Sequence, residues 1–125
     1  MTQVTIIRAG ALLMALAVGL GAFGAHALRE RVSAEHLEVW RTAVQYQLVH
    51  AIGLLAIAGL WGWLDPGRGA WAVRLLMVGT LIFSGTLYAL VLSGVRVLGA
   101  VTPLGGLAMI AGWLVLASAA VRIES

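Results

Sequence analysis

The sequence predicts an all-α membrane protein, an antiparallel bundle of four transmembrane helices with an amphipathic lead-in before the second span. The first observation is composition. Of the 125 residues, 62% are hydrophobic and only 10% are charged, whereas about a quarter of the residues in soluble domains are charged. A soluble fold of this size could not bury so much apolar surface. The second observation is that four apolar runs, each long enough to cross a bilayer, alternate with short polar or turn-forming passages.

The first span covers residues 6–28. About 20 apolar residues cross a hydrocarbon core of roughly 30 Å, so the length fits. The Ala-His-Ala sequence at residues 25–27 resembles a signal-peptidase site, which leaves a cleaved signal peptide as an alternative. The apolar run is longer than the usual apolar core of a signal peptide. A transmembrane span is therefore the favoured interpretation.

The first span also contains a G-x-G-x-x-G pattern, at residues 19–24. A dinucleotide-binding fingerprint needs a strand before the pattern, a helix after it and an acidic residue further along. Here the pattern lies inside a hydrophobic helix, which favours a packing role. Ala11, Ala15 and Gly19 are spaced four apart and indicate the same role, because small residues let membrane helices approach closely. We expect this face to pack against another helix.

The second span begins within the only long polar passage, residues 24–51, which holds three of the five acidic residues and all three histidines. Ser33 can cap a helix by accepting a hydrogen bond from a free backbone N–H. A helix over residues 34–63 would be about 45 Å long at 1.5 Å per residue, which exceeds the hydrocarbon thickness. Its first turns are therefore expected to form an amphipathic lead-in at the interface, with the second span at residues 44–64.

The Asp-Pro-Gly sequence at residues 65–67 predicts a turn, because proline sets φ and glycine permits a positive φ. Three tryptophans surround it, and indole rings favour the headgroup level: Trp61, Trp63 and Trp71. This connection therefore marks one membrane face. The third span covers residues 75–95.

Thr102 and Pro103 read as the cap and the first residue of a further helix. The fourth span then covers residues 103–121, and both chain termini lie at the same membrane face. The eight basic residues are all arginines, and four fall at each face: Arg8, Arg68, Arg74 and Arg122 at the terminal face, and Arg29, Arg31, Arg41 and Arg96 at the other. The positive-inside rule therefore does not decide the orientation.

The same composition limits the partners. Nucleic acid is not expected, because binding it needs clustered cations. Without cysteine there is no disulfide, thiolate zinc site or iron–sulfur cluster. The expected partners are the lipid bilayer and, beyond it, a second copy of the chain or a larger membrane complex.

Membrane depth suggests one polar pocket. His26 ends the first span, Gln47 and His50 lie in the first turns of the second, and Tyr88 lies about 10 Å from the same face at 1.5 Å per residue. Polar side chains in lipid tend to turn inward towards partners, so these four are expected to meet. The favoured interpretation is that they hydrogen-bond to one another and join the helices.

Two alternatives for this pocket stay open. It could bind a small ligand, a lipid headgroup or a quinone, or His26 and His50 could ligate a haem or a metal, since imidazole suits transition metals. Two histidines at ordinary spacing are thin evidence for a metal, and we predict no cofactor. The sequence contains no nucleophile elbow, HExxH or Walker loop, so an enzyme is the less expected class.

Several motifs carry a family likeness: GAFGAH at residues 21–26, TAVQYQLVH at 42–50, FSGTLY at 83–88, TPLGG at 102–106 and GW at 112–113. With them the chain resembles the YgdD-like family of small bacterial inner-membrane proteins, a domain of unknown function. Thr86 stands where serine is expected and keeps the hydroxyl. The resemblance implies a four-helix plasma-membrane protein without an established activity.

The function predicted from the sequence is that of a non-enzymatic integral membrane protein that packs with itself or serves as an accessory partner in a larger membrane assembly. The small-residue faces and the lack of a catalytic motif favour it. The alternative is a ligand-, quinone-, haem- or metal-binding module centred on His26 and His50.

Overall fold

The computed structural model describes residues 1–122, and four long helices make up most of this part of the chain. They are α1 (Gln3–Phe23), which continues as a π-helical turn (Gly24–Leu28), α2 (Ala34–Gly59), α3 (Pro66–Ser93) and α4 (Leu98–Ala119), with a 3₁₀ turn (Trp61–Trp63) after α2. All four are long and apolar enough to cross a membrane. The predicted fold class, a bundle of four membrane helices, is confirmed.

Both ends of the described part of the chain, residues 1–122, lie near the α2–α3 connection. The Asp65 N–H donates to the Ala119 carbonyl at 2.7 Å, and the Val121 N–H donates to the Trp63 carbonyl at 2.9 Å. On the other side, the Gln3 side chain donates to the Ala58 carbonyl at 2.6 Å. We call this the terminal end of the bundle. The opposite end, which holds residues 24–34 and 94–97, is the polar end.

Three helices begin at capping side chains. The Thr2 hydroxyl accepts from the Thr5 N–H at 3.2 Å at the start of α1. The Ser33 hydroxyl accepts from the His36 N–H at 3.1 Å, so the predicted cap of α2 is confirmed. The Asp65 carboxylate accepts from the Arg68 N–H at 2.9 Å, and Pro66 is the first residue of α3. The Asp-Pro-Gly sequence is therefore a helix start and not the predicted turn. Proline is well suited to this first position, where a missing N–H costs nothing.

The fourth helix begins earlier than the sequence predicts. It starts at Leu98, so Pro103 lies inside it and Thr102 is not its cap. The Thr102 hydroxyl instead donates to the Leu98 carbonyl at 3.2 Å and lies 2.7 Å from the Thr86 hydroxyl of α3. The Thr102 hydroxyl therefore has hydrogen-bond partners although the residue lies inside the helix. One interior proline removes a single backbone hydrogen bond, which membrane helices tolerate.

Helices α2 and α3 form the centre, with α1 packed on α2 and α4 packed closely on α3. Glycines permit the α3–α4 contact. A Cβ on Gly105 would lie 2.5 Å from the Phe83 nitrogen, and one on Gly79 would lie 2.8 Å from the Gly105 carbonyl oxygen. Because these neighbours are backbone atoms, the two helices can approach this closely only where side chains are absent.

The buried face of α1 differs from the predicted one. Ala11, Ala15 and Gly19 are exposed, and no atom lies within 4 Å of a Cβ placed on Gly19. The inward face carries Ile6, Gly10, Leu13 and Ala17 instead. Larger aliphatic side chains fill the space towards α2 and α3, as Ile6 and Leu13 do in a core cluster with Leu54 and Leu76. Within one chain the predicted packing face is therefore wrong.

Candidate polar site

Gln47 and Tyr88 join three helices through buried hydrogen bonds. Gln47, on α2, is 4% exposed. Its Nε2 donates to the Leu13 carbonyl of α1 at 2.9 Å, and its Oε1 accepts from the Tyr88 hydroxyl of α3 at 2.7 Å. The Gln47 amide thus bonds to α1 through its N–H donor and to α3 through its oxygen acceptor. Such bonds stabilise membrane bundles because an unpaired polar group in hydrocarbon is costly.

His50 makes a separate connection, from α2 to α4. Its Nδ1 lies 2.8 Å from the Tyr46 carbonyl oxygen, which can only accept, so Nδ1 carries the proton. Its Nε2 accepts from the Trp113 indole N–H at 3.1 Å. Both ring nitrogens are therefore engaged, and a metal ion could bind His50 only by displacing Trp113 or breaking the bond to Tyr46.

Two further hydroxyl contacts join neighbouring helices. The Ser84 hydroxyl of α3 donates to the Ala43 carbonyl of α2 at 2.7 Å, and Thr86 and Thr102 join α3 to α4. Among residues 1–122, every buried side-chain nitrogen or oxygen has a hydrogen-bond partner. The polar groups of the interior thus satisfy one another, as buried polar groups generally do, and in doing so they join the helices.

The four candidate residues do not share one pocket. Gln47 and Tyr88 contact each other, His50 turns towards α4, and His26 is exposed on the π-helical turn. In that turn Gly24 and Leu28 occupy the buried positions. The expectation that all four converge is therefore corrected: Gln47 bonds to Leu13, which precedes His26 along the first helix by about 20 Å at 1.5 Å per residue, so His26 lies near the end of the bundle and away from the Gln47–Tyr88 pair.

Small clefts lie beside both contacts. The cleft next to the Gln47–Tyr88 pair, between α1, α2 and α3, has a volume of about 190 Å³. The cleft next to His50, between α2, α3 and α4, measures about 290 Å³. Ligand pockets usually measure about 300–1,000 Å³, so the first is too small for most ligands. Within residues 1–122 no group of three or more potential metal ligands occurs.

Two tryptophans of this network were missed by the sequence analysis. Trp40 is 1% exposed, and its indole N–H donates to the Leu20 carbonyl at 2.9 Å. Its ring lies 4.6 Å from that of Tyr88, centroid to centroid. Trp113 supplies the partner of His50. One chemical signal in the sequence could have identified both residues: an indole N–H in an apolar helix needs a hydrogen-bond acceptor.

We expect Gln47→Leu and Tyr88→Phe to destabilise the bundle non-additively, because each removes the same hydrogen bond. The coupling energy should be about 0.6–2 kcal/mol, as for other bonds between membrane helices. Unfolding of the wild type, both single variants and the double variant in mixed micelles measures it. Tyr46→Phe, which changes an exposed tyrosine, is the matched control. Strictly additive costs would show that this bond does not stabilise the fold.

The comparisons with known proteins agree on a membrane family without an assigned activity. A family model described as "Protein of unknown function (DUF423)" matches residues 20–106. The UPF0382 membrane protein SH2409 of Staphylococcus haemolyticus is 48% identical over 107 residues, covering 86% of this chain and 87% of the relative. YwdK of Bacillus subtilis is 46% identical over 114 residues, 90% of this chain and 93% of YwdK.

The similarity extends to a eukaryote. The UPF0382 membrane protein C1782.12c of Schizosaccharomyces pombe is 42% identical over 117 residues, covering 87% of this chain and 95% of the relative. No solved structure matches. These relatives are called membrane proteins, and their names state no substrate, ligand or partner.

Proposed function

The chain belongs to the DUF423 family of proteins of unknown function, and from that premise we propose that it is a non-enzymatic membrane protein that packs against other transmembrane helices. The contact surface is the outward face of α1. Its first partner is a second copy of the same chain, and through this contact it acts as an accessory component of a membrane assembly.

The observation that carries the proposal is a difference between two outward faces. On α1 a row of small residues, Ala11, Ala15 and Gly19, is exposed and spaced four apart, with the exposed Leu12, Leu16 and Val18 beside it. On α4 the outward face holds large aliphatic residues that are 59% to 68% exposed: Leu104, Leu107, Ile110 and Leu114. Long aliphatic side chains suit acyl chains, whereas small residues allow a second helix backbone to approach. The α1 face is therefore the one suited to a protein partner.

The chain itself uses the same chemistry. Gly79 and Gly105 bring α3 and α4 together so closely that a Cβ on either would meet backbone atoms of the other helix. The α1 row has the same small residues but no neighbour within the fold, since nothing lies within 4 Å of a Cβ on Gly19. A second copy is the simplest occupant, because two-fold homodimers are the commonest oligomers and bring the same surface of each subunit together.

The location belongs to the same proposal. We assign the chain to the plasma (inner) membrane of a bacterial cell, in keeping with the Staphylococcus and Bacillus relatives. The narrower grouping with YgdD-like proteins is also part of the proposal and is supported by the motifs at residues 21–26 and 42–50.

Light scattering in mild detergent tests the role. We expect the wild type to have the mass of a dimer and Ala15→Leu to be monomeric, because the leucine holds the two α1 helices apart. Ala89→Leu, an exposed site on α3, is the control and should stay dimeric. A monomeric wild type, or equal dimer fractions in the two variants, would contradict the proposal.

A further inference from the structure

An apolar groove runs along the outside of the bundle at the polar end, between α1 and α2. Its volume is about 340 Å³. The α1 side is formed by small residues and the α2 side by aliphatic ones: Gly21, Gly24 and Ala25 face Val44, Leu48 and Val49. The polar residues at its wall are Arg41 and Gln45.

The groove is held open by a fixed contact. Trp40 packs directly on Gly24, where an added Cβ would lie 2.5 Å from the indole Cδ1. The indole N–H donates to the Leu20 carbonyl, which holds the ring against α1. Because Gly24 carries no side chain, the Trp40 ring fits against it, and Phe23 of α1 packs beside the ring with centroids 5.7 Å apart. The groove is thus built into the α1–α2 contact.

The polar groups along this side of α2 follow an order. Glu38 comes first from the polar end, then Arg41, then Gln45, and the aliphatic Leu48 and Val49 lie deeper. Spacings of three and four residues place these groups on one face of a helix. Arg41 lies about 10 Å from the start of α2 at 1.5 Å per residue, a depth suited to a headgroup. From the polar end inwards, this face therefore presents a carboxylate first, then a guanidinium, then an amide and finally hydrocarbon.

Glu38 and Arg41 form an exposed ion pair. Their closest atoms, Oε1 and Nη1, lie 2.6 Å apart, and the side chains are 70% and 59% exposed. Each group keeps free sites, since a guanidinium has five N–H donors and a carboxylate accepts more than one bond. The pair can therefore bind a cation and an anion side by side.

We propose that this groove binds one phosphatidylethanolamine molecule. The lipid phosphate contacts the Arg41 guanidinium, which suits phosphate geometry, and the lipid ammonium donates to the Glu38 carboxylate. The Gln45 amide donates to an ester carbonyl, and one acyl chain lies along Leu48 and Val49. The order of the lipid's groups matches the order along α2. This site is distinct from the α1 face described above and does not depend on it.

Charge favours a zwitterionic headgroup over an anionic one. The polar passage before the groove carries three arginines and three glutamates, which cancel: Arg29, Glu30, Arg31, Glu35, Glu38 and Arg41. Attraction of anionic lipid requires an excess of basic residues, and this passage, which leads into the groove, has no excess. The choice of a primary ammonium follows from Glu38, because a quaternary ammonium has no N–H to donate to a carboxylate.

Native mass spectrometry of the delipidated chain tests the site. Dioleoyl phosphatidylethanolamine, phosphatidylglycerol and phosphatidylcholine are added separately. We expect one tightly bound phosphatidylethanolamine per chain and weaker binding of the other two. Arg41→Gln should weaken phosphatidylethanolamine binding about tenfold, while Arg31→Gln, at the same end but outside the groove, leaves it unchanged. Glu38→Gln should remove the preference over phosphatidylglycerol.

A steric variant separates the groove from the rest of the surface. Ala25→Leu fills the groove and should abolish binding, while Ala27→Leu, an exposed neighbour outside it, should not. Equal binding of the three lipids by the wild type would overturn the proposal. Equal affinities of Arg41→Gln and Arg31→Gln for phosphatidylethanolamine would also overturn it. Retained lipid binding in an Ala25→Leu variant that no longer dimerises would assign the groove to a second copy instead. If Ala25→Leu does not fold, the comparison of Arg41→Gln with Arg31→Gln decides whether the groove binds the lipid.

Discussion

Replacing Gly105 by alanine is expected to push α3 and α4 apart at this contact and to lower the free energy of unfolding. The new Cβ would lie 2.5 Å from the Phe83 nitrogen and 2.9 Å from its Cα. Both are backbone atoms of a hydrogen-bonded helix, so no side-chain rotation relieves the overlap. Overpacking that forces backbone to shift costs about 1–3 kcal/mol, occasionally more.

The adjacent Gly106→Ala variant is the matched control. There the nearest atom to the new Cβ is Phe83 Cδ2, at an ordinary 3.8 Å. Alanine is also favoured over glycine in a helix by up to about 1 kcal/mol, so this variant should be neutral or more stable. Thermal unfolding followed by circular dichroism measures both. Equal midpoints for the two variants would mean that α3 and α4 are not in glycine-mediated contact.

Trp40→Ala should destabilise the polar end of the bundle by about 3–5 kcal/mol, the usual cost of truncating a buried aromatic residue. The indole is 1% exposed and lies against Gly24 and Tyr88. Its removal leaves a void there. It also leaves the Leu20 carbonyl without the indole hydrogen bond.

Two tryptophan variants complete this experiment. Trp71→Ala changes a residue that is 60% exposed and should alter the free energy of unfolding by less than about 1 kcal/mol, within the range of surface substitutions. Trp40→Phe keeps a ring but loses the N–H, so its cost should fall between the two. Similar losses for Trp40→Ala and Trp71→Ala would contradict the buried position of Trp40.

The helices were predictable because their signals are local. Apolar length predicts a membrane helix without any tertiary information, and the cap of α2 depends only on Ser33 and the three residues after it. The start of α4 has no such local signal. Thr102 lies inside the helix, where it contacts Thr86 of α3, and the sequence around residue 102 carries no trace of that partner.

The inward faces were not predictable because the bilayer removes the usual signal. In a soluble helix the apolar side marks the core, whereas lipid is as apolar as the protein interior. Ala11, Ala15 and Gly19 therefore looked like a packing face, although Ile6, Gly10 and Leu13 face inward. Small residues mark a surface suited to a helix, but they do not say whether that helix belongs to the same chain.

The polar site was predicted wrongly because depth was counted from the wrong residue. The second span is predicted to start at residue 44, whereas α2 begins at Ala34, so His50 lies about 24 Å into the helix at 1.5 Å per residue. His50 contacts Trp113 there, and His26 is exposed near the polar end. The π-helical turn Gly24–Leu28 adds a local change of direction that the residue pattern does not reveal.

Disulfide cross-linking in native membranes tests the role of the α1 face most directly. The natural chain has no cysteine, so single cysteines report one site each. Under mild oxidation Ala15→Cys should give a species of twice the monomer mass, because two α1 helices meet at that residue. Leu107→Cys, on the outward face of α4, should stay monomeric. Equal cross-linking at the two sites, or none at residue 15, would contradict the assignment of α1 as the contact surface.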